Sequence, residues 1–228
     1  DNQKTIISIF INEKQFNDTE DFEAYPRNKG DDYNFCEKHN VDIIFEPSTE
    51  EIYPEEYKSI QNSHFQNILC DQYRPGHFDG VVTVLSRLFS IIQSDKVYFG
   101  EKDFQQLRIV ESLINDNFPN LKLISVPTFR SNEGIALSSR NRKLSKKQLT
   151  DVISFQKEVT QFISHLDKKI DLIEANKKAK EFIKSYEKFD YFEFRNASNL
   201  SLEGKLVESR LFYAIYKGSV RLIDNLEF

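Results

Sequence analysis

The stretch KVYFGEKDFQQLRIVESLINDNFPNLKLISVP, residues 96–127, decides the fold class of this chain. Residues 96–99 are rich in β-branched and aromatic side chains, which predicts a short strand that stops at Gly100. Apolar residues then follow at helical spacing: Phe104, Leu107, Val110, Leu113 and Ile114. A second strand is predicted over residues 121–126, where Pro127 ends it. Strand, helix and strand in this order indicate a parallel sheet with right-handed crossovers.

The sequence before this stretch continues the same pattern. Residues 6–11 (IISIFI) predict a parallel strand covered on both faces, and residues 41–45 predict another. A short helix is expected between them over residues 31–38, and a longer one over residues 78–93. Residues 53–73 are polar without a clear period, so we expect a long connection there. Together these segments indicate a doubly wound parallel α/β sheet.

The character of the sequence changes near residue 144. Ser145 and Gln148 form a capping-box pattern that predicts the start of an amphipathic helix, and a second helix is expected over residues 171–186. Strands are then predicted at 191–194, 211–216 and 220–223, with a turn at Lys217-Gly218 between the last two. We therefore expect an α/β domain over residues 1–144 and a smaller α+β domain over residues 145–228.

Composition excludes several classes of protein. The chain has 228 residues, 39% hydrophobic and 29% charged, which suits a globular core and not a disordered tail. No apolar run is long enough to span a bilayer. The chain has a net charge of −5 and so lacks the overall positive charge that is typical of a nucleic-acid-binding protein. Cys36 and Cys70 lack metal or redox spacing, so we expect buried free thiols.

Two segments carry groups suited to phosphate. Gly100 and Lys102 lie where a strand ends and a helix begins, which is where open α/β sheets bind ligands and where helix N–H groups meet anions. Residues 134–141 (GIALSSRN) combine two hydroxyls with Arg140, whose guanidinium matches phosphate geometry. The alternative for the first segment is an ordinary strand-to-helix turn with a solvated lysine. The alternative for the second is a plain loop before a helix.

Three further groups are weaker candidates. Residues 74–80 (RPGHFDG) place a cation and His77 before a helix, although a histidine in that position is often structural. Gln15 and Asn12 follow the first predicted strand and suit a ligand with hydroxyl and carbonyl groups. Asp31 opens a predicted helix, where an acidic residue either caps the helix or lies near a metal ion.

Taken together, these segments resemble pantothenate synthetase, the pantoate–β-alanine ligase family. The resemblance covers nearly the whole chain in the family's order. The matching strings are SIFIN with QF (8–16), EIYP (51–54), RPGHFDGV (74–81), YFGEKDFQQL (98–107), VPT (126–128), LSSRN (137–141) and RLIDN (221–225).

The resemblance implies a Rossmann-like nucleotidyltransferase domain and a reaction in two steps. Pantoate carboxylate attacks the α-phosphorus of ATP and releases pyrophosphate, and the β-alanine amine then attacks the pantoyl adenylate and releases AMP. Lys102 and Arg140 would be catalytic. The residues implied to bind ATP are Gly100, Glu101, Lys102, Asp103, Phe129, Leu137, Ser138, Ser139 and Arg140.

The same resemblance assigns the other substrates and partners. Pantoate and β-alanine would be bound by Gln15, Gln106, Asn12, Arg74 and His77. Mg²⁺ is expected with ATP, and Asp31 is the one candidate for a protein ligand. We expect a cytoplasmic homodimer that binds neither nucleic acid nor a membrane.

The chain departs from the family at its start. The family's first strand and H-x-G-H loop have no counterpart here, and the sequence contains no methionine. We expect the missing strand to be present in the full protein or supplied from elsewhere. A shortened chain, or a natural remnant, stays open. The alternative functions are therefore an inactive nucleotide- or pantoate-binding module and another nucleotidyltransferase of the same fold.

Overall fold

A computed structural model describes residues 4–17, 19–23, 25, 27–186 and 188–228. Its helices are α1 (Thr19–Glu23), α2 (Lys29–Lys38), α3 (Thr49–Ile52), α4 (Leu69–Tyr73), α5 (His77–Ile92), α6 (Phe104–Asn117), α7 (Lys146–Ser164) and α8 (Leu172–Phe182). Its strands are β1 (Ile6–Ser8), β2 (Ile43–Phe45), β3 (Lys96–Gly100), β4 (Lys122–Val126), β5 (Phe189–Asn196), β6 (Ser209–Lys217) and β7 (Val220–Glu227).

The chain divides into two compact units. The first consists of Asp1–Ser63 with Arg74–Ser94, and the second of His64–Tyr73 with Asp95–Phe228. The two units are defined by the contacts that residues make within the chain, and their boundaries do not lie near residue 144. The two-domain division expected there stays a prediction.

In the first unit, β1 and β2 pair in parallel, with Ile6 opposite Ile43. The long helix α5 lies in this unit and buries most of its apolar residues: Phe78, Val81, Val82, Val84, Leu88 and Phe89. Ile52, Val84 and Leu88 form a small core, and Phe10 and Phe45 pack against it. The parallel pairing and the helix confirm the α/β pattern read from the sequence.

The prediction that the first strand is covered on both faces is wrong for the described residues. The strand ends at Ser8, three residues before the end of the apolar run, and Ile6 is 37% exposed. Ile43 and Ile44 of the paired strand are exposed as well. An apolar run indicates a strand, but it does not determine which element covers each face.

The second unit begins with the predicted strand–helix–strand stretch. β3 and β4 pair in parallel over five residues, from Lys96 opposite Lys122 to Gly100 opposite Val126. A buried cluster holds this part together: Leu69, Phe104, Leu107, Leu200 and Phe212. The polar connection expected over residues 53–73 ends in the short helix α4.

The remainder of the second unit is an antiparallel sheet in the order β5–β6–β7, next to α7 and α8. The capping box is present, because Ser145 and Gln148 bond each other's backbone amides. The predicted turn lies at Gly218, which has a φ of 62°. Leu149 belongs to the predicted amphipathic helix α7 but is exposed, and α8 is shorter than the range 171–186 because a 3₁₀ turn follows it.

The two cysteines are buried and free, as the sequence indicated. Within the described residues, none of the helices is long and apolar enough to cross a bilayer.

Candidate active site

The first phosphate segment lies between β3 and α6. A 3₁₀ turn at Glu101–Asp103 joins the two elements. Gly100 is exposed, and a Cβ atom added there would meet no atom within 4 Å, so a ligand can approach its backbone. Lys102 is half-buried, with its Nζ 3.6 Å from the carboxylate of Asp103. This segment therefore presents an open backbone beside a held lysine.

The second phosphate segment forms a tight turn that folds back on itself. The amide of Leu137 donates to the carbonyl of Phe129 at 2.9 Å, and Gly134 permits the turn with a φ of 87°. A 3₁₀ turn then begins at Ser139. Ser138 caps it, because its Oγ accepts from the backbone amide of Arg140 at 3.2 Å. Because Oγ acts there as an acceptor, the Ser138 hydroxyl proton is available to a ligand.

These two segments line one cavity of about 30 Å³, which is room for one or two waters. Lys102 lines it from the first segment, and Ser138, Arg140 and Asn141 line it from the second. Arg221 of β7 lines it as well. Three cationic side chains and a hydroxyl around one cavity suit an anionic group such as a phosphate.

Two groups that line this cavity have shifted pKa values: Arg221 stays charged and Tyr213 stays neutral. Burial lowers the pKa of Arg221, but Cys70, Tyr191 and the ion pair with Asp190 at 2.7 Å raise it more, so the guanidinium stays protonated. Burial raises the pKa of Tyr213, which also lines the cavity, well above its usual range. The lining thus holds three cations, Lys102, Arg140 and Arg221, and one carboxylate, Asp224, so its side chains carry net positive charge at neutral pH.

Other residues predicted to bind ATP lie outside this lining. Phe129 is 73% exposed and Leu137 is exposed. Ser139 is exposed at the start of the 3₁₀ turn, next to Ser138. Glu101 is half-buried and its carboxylate pairs with Arg210 at 3.1 Å. Their contacts with a nucleotide stay predictions.

In the first unit, Gln15 is held by its backbone. It ends a 3₁₀ turn, and its carbonyl accepts from Arg74 Nη2 at 3.1 Å and from His77 Nδ1 at 2.7 Å. Since His77 donates from Nδ1, its neutral ring accepts from Arg74 Nη1 at Nε2, at 3.2 Å. Arg74 and His77 thus position the Gln15 backbone, which leaves their own contact with pantoate a prediction.

Asn12 has a related position. It is only 2% exposed, its Nδ2 donates to the carbonyl of Gly80 at 3.0 Å, and its Oδ1 accepts from Tyr53 at 2.7 Å and from the amide of Lys14 at 3.2 Å. These bonds hold Asn12 against its neighbours inside the protein, and its contact with pantoate stays a prediction.

Gln106 lies half-buried in the first turn of α6. Its neighbour Gln105 is buried and bonds only backbone groups, because its Oε1 accepts from the amide of Cys70 and its Nε2 donates to the carbonyls of Phe65 and Ile68. Of these two glutamines, Gln106 is therefore the one suited to a substrate.

Asp31, the metal candidate, lies in the first turn of α2. Its amide donates to the Oδ1 of the capping residue Asn28 at 3.4 Å, and its carboxylate accepts from the same side chain. Among the described residues, no three His, Cys, Asp or Glu side chains lie close enough together to hold a metal ion. The geometry therefore suits a helix start, and a metal role for Asp31 stays a prediction.

Sequence reasoning assigned no role to four charged residues that line or support the second-unit site: Arg130, Arg210, Arg221 and Asp224. Only Asp224 had a local signal, because an Asp-Asn pair interrupts an otherwise largely apolar strand near the end of the chain. The arginines have no such signal, because their partners are distant in sequence.

Comparison with known proteins shows which family this chain resembles. The chain is 38% identical to a pantothenate synthetase from Sulfurihydrogenibium sp. over 100% of the chain and 84% of that protein, and 41% identical to one from Leptospira biflexa over 97% and 81%. The crystal structure of pantothenate synthetase from Thermus thermophilus matches with a TM-score of 0.86 at 32% identity, covering 99% of the chain and 84% of that structure.

A further solved structure is the Francisella tularensis pantoate-beta-alanine ligase complexed with beta-gamma ATP and beta-alanine, with a TM-score of 0.77 and 32% identity over 99% of the chain and 80% of that structure. The matches confirm the expected fold class, an α/β nucleotidyltransferase-like domain with a C-terminal domain. The family model for pantoate-beta-alanine ligase matches residues 1–227, so the motifs, the fold and the overall likeness together make this chain a member of the pantoate–β-alanine ligase family.

Proposed function

We propose that this chain uses ATP to condense pantoate with β-alanine. The pantoate carboxylate attacks the α-phosphorus of ATP, forming an acyl-phosphate bond while pyrophosphate leaves. The β-alanine amine then attacks the acyl carbon and gives up one proton to solvent, the bond from that carbon to the bridging oxygen breaks, and AMP leaves with the bridging oxygen. The observation that carries the proposal is the shared cavity of Lys102, Ser138 and Arg140 in a member of this family.

Adenylyl transfer requires alignment and charge neutralisation, and no covalent protein nucleophile. Lys102 and Arg140 would supply fixed positive charge to the phosphates, where charge develops as pyrophosphate leaves. The hydroxyls of Ser138 and Ser139 would donate to phosphate oxygens. Phe129 would contact the adenine through its backbone, as the resemblance implies.

Pantoate recognition is proposed on the glutamines. Gln106 offers a half-buried amide in the first turn of α6, which suits a ligand with hydroxyl and carboxylate oxygens. For the first unit we propose that Gln15 binds pantoate through its side chain, since Arg74 and His77 occupy only its backbone carbonyl.

A magnesium ion would enter with the nucleotide. The described residues fit an ion held mostly by phosphate oxygens and water, because Asp103 places one exposed carboxylate beside Lys102 and no larger ligand cluster is present among them. Bound Mg²⁺ would neutralise charge on the polyphosphate. Lys102 and Arg140 hold the remaining phosphate oxygens.

We also propose that the protein is a cytoplasmic homodimer, because the family resemblance implies it. Sedimentation of the purified protein at several concentrations tests the assembly. A species that stays monomeric at micromolar concentration contradicts it.

The direct test is pyrophosphate release that depends on pantoate, followed by transfer of carboxylate oxygen. With pantoate labelled with ¹⁸O in its carboxylate, we expect one labelled oxygen in AMP and none in pyrophosphate. ATP binding without turnover would instead indicate a binding module. Pyrophosphate release that needs a different acceptor would indicate another nucleotidyltransferase.

Two substitutions test the proposed charges. Lys102→Ala and Arg140→Ala should each lower the rate by about 10²–10³, since each removes one preorganised charge. Lys96→Ala and Arg142→Ala are matched controls, because both residues are exposed and lie close by in the sequence. Turnover near the wild-type value in either cavity variant contradicts its assigned role.

A further inference from the structure

Near its end, β7 contains two adjacent buried polar residues. Asp224 is 7% exposed and Asn225 is 2% exposed. Successive side chains of a strand point to opposite faces of the sheet, so the two residues reach different neighbours. A hydrogen bond also connects the two residues, because the Asn225 backbone amide donates to Asp224 Oδ1 at 2.8 Å.

Asp224 holds the beginning of the second phosphate segment. Its Oδ2 accepts from Arg130 Nη1 at 2.6 Å and its Oδ1 accepts from Arg130 Nη2 at 3.0 Å, a bidentate pair. The same guanidinium donates to the carbonyl of Gly134 at 3.0 Å and to that of Asn225 at 2.9 Å. The turn that leads to Ser138 is therefore fixed to β7.

Asn225 holds the first phosphate segment. Its Nδ2 donates to the carbonyl of Glu101 at 2.8 Å and to that of Lys102 at 3.0 Å. Its Oδ1 accepts from Arg210 Nη1 at 2.8 Å, and Arg210 Nη2 lies 3.1 Å from the Glu101 carboxylate. Asn225 Nδ2 thus holds the backbone that carries Lys102, while Oδ1 is bonded to Arg210, the partner of the Glu101 side chain.

We propose that Asp224 and Asn225 are positioning residues that fix the two phosphate segments to one strand and so set the separation of Lys102 from Ser138 and Arg140. Adjacent residues of a strand have a nearly constant Cα separation of about 3.8 Å, so the strand acts as a rigid spacer between the segments. This inference rests on the proposed function only for the expected change in kcat.

The test compares Asn225→Ala and Asn225→Asp with Asn176→Ala. Asn225→Asp keeps the shape of the side chain but removes the amide donor. Asn176 is a matched control, since its side chain also makes two bonds to backbone atoms, both of Phe194. We expect both Asn225 variants to lower kcat about 10²-fold with KM for ATP within about threefold, because misplacement by about 1 Å costs rate more than binding.

Amide hydrogen exchange gives a readout that does not need turnover. In both Asn225 variants, peptides over residues 101–107 should exchange faster than in wild type, and in Asp224→Asn those over residues 129–137 should do so. Asn176→Ala should leave both regions unchanged. Equal exchange in wild type and in all three β7 variants, or a wild-type kcat in Asn225→Asp, overturns the inference.

The two proposals fail in different ways. If the wild-type chain releases no pyrophosphate with pantoate, the proposed function fails and the exchange rates alone decide the positioning role. If wild type is active and the Asn225 variants match it, the function stands and the positioning role is wrong.

Discussion

Gly80 lies inside α5 where the helix touches the turn that carries Gln15. A Cβ atom added at this position would lie 2.4 Å from the Lys14 carbonyl oxygen, 2.6 Å from the Lys14 carbonyl carbon and 2.8 Å from the Gln15 amide nitrogen. All three atoms belong to the backbone, so no side-chain rotation can relieve the clash. We therefore expect Gly80→Ala to push the turn away from the helix.

The size of the effect follows from these distances. An ordinary contact between carbon and oxygen needs about 3.4 Å or more, so the turn must move by roughly 1 Å. Overpacking of this kind costs about 1–3 kcal/mol, while alanine returns up to about 1 kcal/mol of helix propensity. The free energy of unfolding should fall by about 0–2 kcal/mol. Because Gln15 moves with the turn, kcat/KM for pantoate should fall about 10²-fold.

The assay is pantoate-dependent pyrophosphate release, measured beside urea unfolding. Gly30→Ala is the matched control, since it also adds a methyl group to a helical glycine, and the nearest atom to that Cβ would be Asn28 Oδ1 at 3.9 Å. The control should keep its activity and its stability. A Gly80→Ala protein with wild-type kcat and KM would refute the argument that the close approach positions Gln15.

A helix cap, a buried tyrosine and a histidine hydrogen bond give three further predictions. Ser145→Ala should lower the free energy of unfolding by about 1 kcal/mol, because it removes the cap bonded to Gln148; an unchanged urea midpoint contradicts this. Burial raises the pKa of Tyr213, so above about pH 10 the unfolded chain loses a proton that the folded chain keeps, and stability falls as pH rises. Tyr213→Phe should reduce that fall by about 1.4 kcal/mol in total in urea titrations from about pH 9 to 11, and parallel curves would argue against it. His77→Leu should lower kcat at least tenfold while His77→Asn, which keeps a donor for the Gln15 carbonyl, recovers part of the rate; equal rates in the two variants would exclude the hydrogen bond as the cause.

Local patterns predicted most of the elements. The stretch over residues 96–127 folds as strand, helix and strand, and the parallel pairing of β3 with β4 follows from that order. The capping box at Ser145 and the turn at Gly218 also depend on neighbouring residues only. Such features are readable because the groups that form them lie within a few residues of one another.

Burial and long-range contacts were not readable in the same way. The apolar run at the start of the chain predicted a strand covered on both faces, but Ile6 is exposed, because periodicity reports side-chain direction and not what lies opposite. Arg130 and Asp224 are separated by 94 residues. Nothing in the local sequence of either residue indicates that they form a bidentate pair.

Several predicted binding residues use their polar atoms on other parts of the protein. In the first unit, Asn12, Arg74 and His77 use their hydrogen bonds largely on backbone carbonyls and on one another. In the second unit, Asn225, which was not a predicted binding residue, donates to the backbone carbonyls of Glu101 and Lys102. Backbone carbonyls are strong acceptors whose place is set by the chain, so an amide or guanidinium bonded to one fixes the segment as well as itself.

This arrangement has a chemical reason. A reaction that proceeds by aligning a carboxylate with a phosphorus atom gains rate from the placement of charges, and placement depends on every group that holds the charged residue's backbone. Chemical type alone therefore does not separate residues that contact substrate from residues that position other groups. Kinetics separates positioning from ground-state binding, because loss of a contact that binds substrate in the ground state raises KM, whereas loss of a positioning bond lowers kcat while ground-state affinity is kept.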